Sequence, residues 1–251
     1  MKGASELKTR FFEGARRMYF SKDSIAYFQD KATPGQMRAI CDLLDYEEAV
    51  RKENKRRRLM RRAAFPVMKS TDGFDFTDVV MPEGYGRNEM LGLDFIKNAQ
   101  DFVFYGKTGR GKTHLAIALG ILCVNTGFEV LFFSTAALVR RLAVALAEGK
   151  LDRVLKEIGR ADLIILDEFG YIPLDIDGAR LLFQVISQSY ERNSMILTTN
   201  IEFSKWSTIF ADEKLASAAI DRIVHHGRLL EFNGPSRRMD ESLMLGKGGE
   251  K

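Results

Sequence analysis

The stretch Gly106-Lys107-Thr108-Gly109-Arg110-Gly111-Lys112-Thr113 satisfies the pattern G-x-x-x-x-G-K-[ST] at every required position. Glycines so placed leave room for successive backbone N–H groups to wrap the phosphates of a nucleotide, and the N-terminus of a following helix adds its dipole. Lys112 then reaches the β- and γ-phosphates, the Thr113 hydroxyl ligates Mg²⁺, and His114 closes the phosphate-binding set. A second chemical signal is Asp167-Glu168, at the end of the apolar run Leu163-Ile164-Ile165-Leu166. Such a run belongs to a parallel strand buried on both faces, whose tip carries the acids to the phosphate loop. There Asp167 can hold Mg²⁺ through water, and Glu168 can act as general base on the water that attacks the γ-phosphate. Two adjacent acids favour hydrolysis over nucleotide binding alone, because one serves the metal and the other the water.

Two further candidates admit more than one reading. Ile196-Leu197-Thr198-Thr199-Asn200 is another apolar strand with a polar tip. Asn200 either positions the attacking water or the γ-phosphate, or caps a turn. Arg222 falls within Asp221-Arg222-Ile223-Val224, on a helix expected from Glu213 to His226. It is either solvated or salt-bridged, or it enters a neighbour's nucleotide site as an arginine finger.

The elements that must position these groups alternate. A strand over 101–105 enters the loop, and Leu115, Ala118, Leu119 and Leu122 follow at the spacing of one helical face. Further strands are expected near 128–133, 162–166, 195–199 and 228–232. The alternation of strand and helix implies an α/β core with a mainly parallel sheet, right-handed crossovers and helices on both faces. Ala179, Leu182, Phe183, Ile186 and Tyr190 form one helical stripe and read as core. Phe65-Pro66 and Thr71-Asp72-Gly73 interrupt the pattern and mark a boundary. Residues 1–70 are thus expected to form a small all-helical domain, with segments near Glu6–Tyr19, Lys22–Gln29 and Gly35–Ala64. Residues 71–240 are expected to form the ATPase domain and 241–251 a loose tail. Phe74 and Phe76 either flank an adenine or anchor the linker.

Charge is unevenly spread. Residues 1–70 hold 17 Lys and Arg against 9 Asp and Glu, while the remainder of the chain holds 21 against 25. The basic excess peaks between Arg51 and Arg62, where Arg56, Arg57 and Arg58 stand together. The helix carrying them is amphipathic in its first half, through Met37, Ile40, Cys41 and Leu44. Its second half is charged nearly all round and is expected to stay outside any core. These arginines are either a solvated face or a contact for DNA phosphates or a protein partner. The segment has no aromatic residue for base stacking, which argues against sequence-specific reading.

The 251 residues are 45% apolar, enough for an ordered α/β domain with a small appendage. No apolar run approaches the ~18 residues of a membrane span and no secretory pattern opens the chain, so a cytoplasmic protein without membrane contact is expected. Cys41 and Cys123 read as separate buried thiols, and His114, His225 and His226 as offering no metal-ligand set.

These blocks resemble the IstB-type transposition helper ATPases of the AAA+ class, a branch shared with DnaC-type helicase loaders. The likeness is carried by Phe74-Asp75-Phe76, the phosphate loop with His114-Leu115-Ala116, Asp167-Glu168-Phe169-Gly170-Tyr171-Ile172-Pro173-Leu174, Leu182-Phe183-Gln184-Val185-Ile186, Thr198-Thr199-Asn200 and Asp221 through His226. It extends from about Leu7 to Arg238. The resemblance implies an AAA+ P-loop core with a five-stranded parallel sheet in the order 5-1-4-3-2 and no C-terminal lid. It also implies ATP and Mg²⁺ as cofactors, Asp167 and Glu168 as the Walker B pair, Asn200 as sensor 1 and Arg222 as the arginine acting in trans. Implied partners are duplex DNA, an IstA-type transposase and further copies of the chain, with ATP sites between subunits. In this branch the region of Arg140 and Arg141, on a helix expected over Thr135–Glu148, tends to face DNA, although surface solvation is an equal reading. Two features depart from the family pattern. Lys107-Thr108 replaces a Pro-Pro or Pro-Ser pair, and Gly234-Pro235-Ser236-Arg237-Arg238 lacks the aromatic residue that usually follows the serine, which leaves roles for Arg237 and Arg238 undecided. A DnaC-like helicase loader is the second reading. A small-metabolite kinase would need an arginine-bearing lid, and an architectural DNA-binding protein would not need the intact Lys112, Thr113, Asp167 and Glu168.

Overall fold

A computed structural model describes residues 2–240; the expected tail 241–251 lies outside the described residues. Three helices come first: α1 (Lys2–Arg17), α2 (Lys22–Lys31) and α3 (Pro34–Ala63). Next come β1 (Val79–Val80), α4 (Arg87–Leu91), α5 (Asp94–Lys97), β2 (Asp101–Tyr105), α6 (Lys112–Asn125), β3 (Val130–Ser134), α7 (Thr135–Ala147) and α8 (Leu151–Ile158). The chain continues through β4 (Leu163–Asp167), α9 (Ile176–Ser189), β5 (Ser194–Thr199), α10 (Ser207–Phe210), α11 (Glu213–His225), β6 (Gly227–Phe232) and α12 (Arg237–Asp240). It divides into two compact units, Met1–Arg58 and Leu59–Lys251. No helix among the described residues is long and apolar enough to cross a membrane.

In the first unit, the α3 stripe of Met37, Cys41 and Leu44 packs with Phe11, Ala15 and Ile25. The Ser21 hydroxyl caps α2 by accepting from Ser24 N at 3.2 Å. Arg10 bridges to Asp42 at 2.9 Å and Arg17 to Glu48 at 2.8 Å, so part of the basic excess is neutralised within the unit.

In the second unit, the sheet runs β1-β6-β2-β5-β4-β3. It therefore has six strands and is mixed, which corrects the expected five-stranded parallel sheet. Five strands are parallel neighbours, and counted without β1 their order is 5-1-4-3-2. The addition is β1, antiparallel to β6 with Val79 opposite Phe232. Two residues are too few to show a two-residue period, so this edge strand leaves no pattern in the sequence. The buried strands divide their side chains between two layers. Phe102, Phe104, Leu163 and Ile165 face one core and Val103, Ile164 and Leu166 the other. Helix α6 fills the first layer, and α7, α8, α9 and α11 cover the second.

The end of α3 also departs from expectation. Leu59 and Ala63 are buried in the second unit's core, and Arg62 pairs with Glu129 at 3.0 Å. Leu59 and Ala63 stand at i and i+4, on one face of a helix end that is otherwise charged. The α9 stripe is core at Ala179, Leu182 and Ile186, whereas Tyr190 is half-buried and turns its hydroxyl to His225. Both cysteines are buried free thiols.

Candidate functional site

The parallel register brings the ends of β2, β4, β5 and β6 to one edge, which is where an α/β sheet presents ligands. Between β2 and α6 the backbone of Gly106, Gly109 and Gly111 takes φ values of 151°, 84° and 93°. A Cβ at Gly106 would stand 2.5 Å from the Phe232 carbonyl oxygen, and one at Gly111 would stand 3.2 Å from the Phe74 ring. Phe74 is itself buried against Phe76 and His114, so it underpins the loop and anchors the preceding segment.

Lys112 opens α6 and is only 6% exposed. Its Nζ donates to the carbonyls of Gly106 at 2.6 Å and Lys107 at 2.9 Å. Burial pushes its ammonium down to about 8, with Asp167 opposing that shift. Beside it, Thr113 Oγ1 donates to Asp167 Oδ1 at 2.8 Å, and Thr198 Oγ1 donates to the same oxygen at 2.5 Å. Thr135 Oγ1 donates to the Asp167 backbone carbonyl at 2.9 Å, locking the strand tip. The next residue, Glu168, takes a left-handed φ of 57°, and its N–H donates to Thr198 Oγ1 at 3.1 Å. Its side chain is exposed. Thr198 thus holds both acids, one through its side chain and the other through its backbone.

Lys112, Thr113, Glu168, Arg237 and Arg238 share a cleft of about 670 Å³ with the phosphate loop. The glycine cradle, the Lys112 ammonium and the two arginines fit a polyphosphate. The Thr113 and Asp167 oxygens fit a hard divalent cation such as Mg²⁺. Asn200 lines an adjoining cleft with Lys107, Thr108 and Arg238, and its buried Oδ1 has no hydrogen-bond partner among the described residues. In the loop itself, Thr108 Oγ1 lies 2.9 Å from Tyr171 Oη, and Arg110 donates to the Phe232 carbonyl at 2.9 Å. His114 Nε2 lies 3.0 Å from the Ser70 carbonyl.

Other sequence candidates stand apart from this cluster. Arg222, on α11, lies outside the phosphate cleft of its own chain; it donates to the Ala218 carbonyl at 2.8 Å, and its guanidinium lies 5.0 Å from the Phe183 ring centroid. Arg140 is exposed and lines a neighbouring cleft of about 430 Å³ together with Glu168 and Tyr171. Arg141 is engaged by Glu157 at 2.8 Å and the Phe133 ring. On α3, Arg56 and Arg57 clasp Glu53 at 2.7 and 2.8 Å, holding its carboxyl down at about 2, and Arg58 is exposed. The histidines separate: His114 serves the loop, whereas His225 and His226 meet Glu191, a ligand-type cluster the sequence spacing did not reveal.

The sequence assigned no role of their own to Thr198 and Tyr171 and did not decide Arg237. Arg237 N–H donates to the Gly109 carbonyl at 3.0 Å, its Nη2 donates to the Asp75 carbonyl at 2.9 Å, and its guanidinium stacks over Phe74 at 5.0 Å. The available signal was topological. A strand parallel to β2 and beside it must end at the loop, so arginines just past it must arrive there.

The profile of the family described as IstB-like ATP binding protein matches residues 22–244. A Bacillus thuringiensis subsp. berliner protein, named as an ATP-binding protein of insertion sequence IS232, is 36% identical over 202 residues, covering 80% of this chain and 81% of its own. A Pseudomonas aeruginosa protein, named as an ATP-binding protein of insertion sequence IS21, is 36% identical over 210 residues, covering 82% and 78%. Among solved structures, the DnaC helicase loader superposes with a TM-score of 0.50 at 25% identity, covering 59% of this chain and 89% of that one.

Proposed function

We propose, from the premise that this chain belongs to the IstB-like ATP-binding protein family, that it is an Mg²⁺-dependent AAA+ ATPase that assembles on duplex DNA and assists the transposase of an insertion sequence. The observation that carries the catalytic part is the shared hold of Thr198 on Asp167 and Glu168 at the mouth of the phosphate cleft. The loop N–H groups and Lys112 bind the β- and γ-phosphates, with Lys112 exchanging its two loop carbonyls for phosphate oxygens. Thr113 and Asp167 would hold Mg²⁺, which when bound neutralises charge on the phosphates. Glu168, turned out of the strand by its left-handed backbone, accepts the proton of the attacking water, and Asn200 orients that water through its unpartnered oxygen. Arg222, outside its own chain's cleft, acts in the site of a neighbouring copy. Arg140, beside Glu168, and Arg58, with Arg56 and Arg57, contact DNA phosphates.

The test is ATP hydrolysis by wild type, Arg222→Ala and Glu168→Gln across a dilution series, with and without duplex DNA. Specific activity is expected to rise with protein and DNA concentration. Each variant is expected to be inactive alone, and their mixture to regain turnover. Concentration-independent hydrolysis that survives Arg222→Ala would show a self-contained site and sink the assembly reading. The likeness to the DnaC helicase loader supports a second reading, a helicase loader, distinguished by capture of a replicative helicase in place of a transposase.

A further inference from the structure

Far along the chain from the phosphate loop, α9 ends at Ser189 and α11 ends at His225. Glu191 follows α9 in the left-handed conformation, φ 59°, and His226 follows α11 as its cap. A non-glycine residue held there carries strain that the surrounding structure must maintain. The result is a cluster in which Glu191, His225 and His226 each offer a ligand atom within 4.8 Å of the other two. The Glu191 carboxylate oxygen and His226 Nε2 lie 3.2 Å apart. Donors at ~2.0–2.1 Å from a tetrahedral Zn²⁺ are separated by about 3.3 Å, so this pair already spans one edge of such a site. Tyr190 Oη lies 2.7 Å from His225 Nδ1, and the two rings stack at 6.0 Å. A hydrogen-bonded partner of this kind fixes the ring orientation of a ligating histidine.

We propose that Glu191, His225 and His226 form a binding site for a divalent transition metal of the Zn²⁺ type, completed by water. Two imidazoles and one carboxylate suit Zn²⁺ rather than Mg²⁺, which prefers an all-oxygen shell. The three residues are exposed or half-buried, so the ion has direct access from solvent. Both cysteines are buried and His114 is committed to Ser70, so neither offers a competing soft or imidazole site among the described residues. Because Arg222 lies one turn before His225 on α11, an ion here ties the end of the helix that carries Arg222 to the end of α9. The assignment of the site does not depend on the proposed ATPase function.

The test is calorimetric titration of the metal-free full-length protein with Zn²⁺ in excess Mg²⁺, which occupies hard-oxygen sites, together with the visible spectrum of the Co²⁺ form. One equivalent binding in the micromolar range or tighter is expected, with a low-coordinate Co²⁺ spectrum. His226→Gln is expected to abolish both, and Tyr190→Phe to weaken Zn²⁺ about tenfold through loss of ring orientation. Glu191→Gln, a loop substitution that leaves both helices intact, is expected to weaken binding with an unchanged circular dichroism spectrum. Binding undiminished in His225→Gln/His226→Gln, or no binding below the millimolar range in wild type, would overturn the proposal and leave the cluster as hydrogen-bonded pairs.

Discussion

Thr198→Val removes a hydroxyl with two duties and keeps the shape of the side chain. In the folded protein that hydroxyl donates to the buried Asp167 carboxylate at 2.5 Å and accepts from the Glu168 N–H at 3.1 Å. A hydrogen bond to a charged group contributes roughly 1.5–3 kcal/mol, and a partly buried N–H left without a partner costs roughly another 1 kcal/mol. The expected loss is about 3 kcal/mol, which for a chain of this size lowers the melting temperature by about 6–12 °C. Function is expected to fall further than stability alone would require. The Asp167 carboxylate keeps only Thr113 as a hydrogen-bond partner among the described residues, and the backbone of Glu168 is free to leave its left-handed bend. Loss of a group that orients a metal ligand typically weakens metal binding by ~10–100-fold. Melting scans, combined with fluorescent-nucleotide binding titrated against Mg²⁺ at a temperature where both proteins are folded, separate the two effects. Thr198→Ser, which retains the hydroxyl, is expected to restore the Mg²⁺ dependence while recovering all but about 1 kcal/mol of stability. If Thr198→Val melts within about 1 °C of wild type and binds nucleotide at the same Mg²⁺ concentration, the shared hold of Thr198 on the two acids is not what organises the site.

Two titrations provide independent checks. Lys112, pushed down to about 8 by burial, is uncharged above that pH in the free protein but regains its proton against a triphosphate. Nucleotide binding at pH 8.5 is therefore expected to take up a proton, seen as a buffer-dependent calorimetric enthalpy, and affinity is expected to fall as pH rises past 8; buffer-independent enthalpies would refute this. Asp101 is 4% exposed, accepts from Met195 N at 2.7 Å and is pushed up to about 7 by burial. Because the folded protein holds this proton when the unfolded chain has lost it, the contribution to stability is full below about pH 4 and is lost as pH rises through 7. At 1.36 kcal/mol per tenfold change in proton affinity, the loss is on the order of 4 kcal/mol at most. Asp101→Asn, which keeps the acceptor for Met195, is expected to flatten that decline in urea unfolding between pH 4 and 8, and an unchanged slope would count against it.

Much of the candidate site could be read directly, because binding a phosphate imposes local rules on the backbone. Glycine takes positive φ without strain, and Gly109 and Gly111 stand at such positions. A strand buried on both faces must be continuously apolar, so Leu163 through Leu166 marked where Asp167 would emerge. Helical spacing located α7 and α11 within a residue of their ends and placed Leu115 through Leu122 on α6. Family membership likewise follows from motifs of this local kind and is matched across residues 22–244.

What stayed hidden depends on groups distant in sequence. Thr198 and Asp167 meet across 31 positions, Thr108 and Tyr171 across 63, and Arg237 reaches Asp75 across 162. The two-residue β1 exists only because β6 offers it an edge. The last turn of α3 reads as solvent-facing by charge, yet Leu59 and Ala63 are buried because a complementary core is present. Glu191 and the His225–His226 pair come together only where two helices end side by side. Periodicity reports which face of an element is apolar; it cannot report which other element that face, or that helix end, will meet. Sheet order and helix packing settle those meetings, and with them which polar groups share a site.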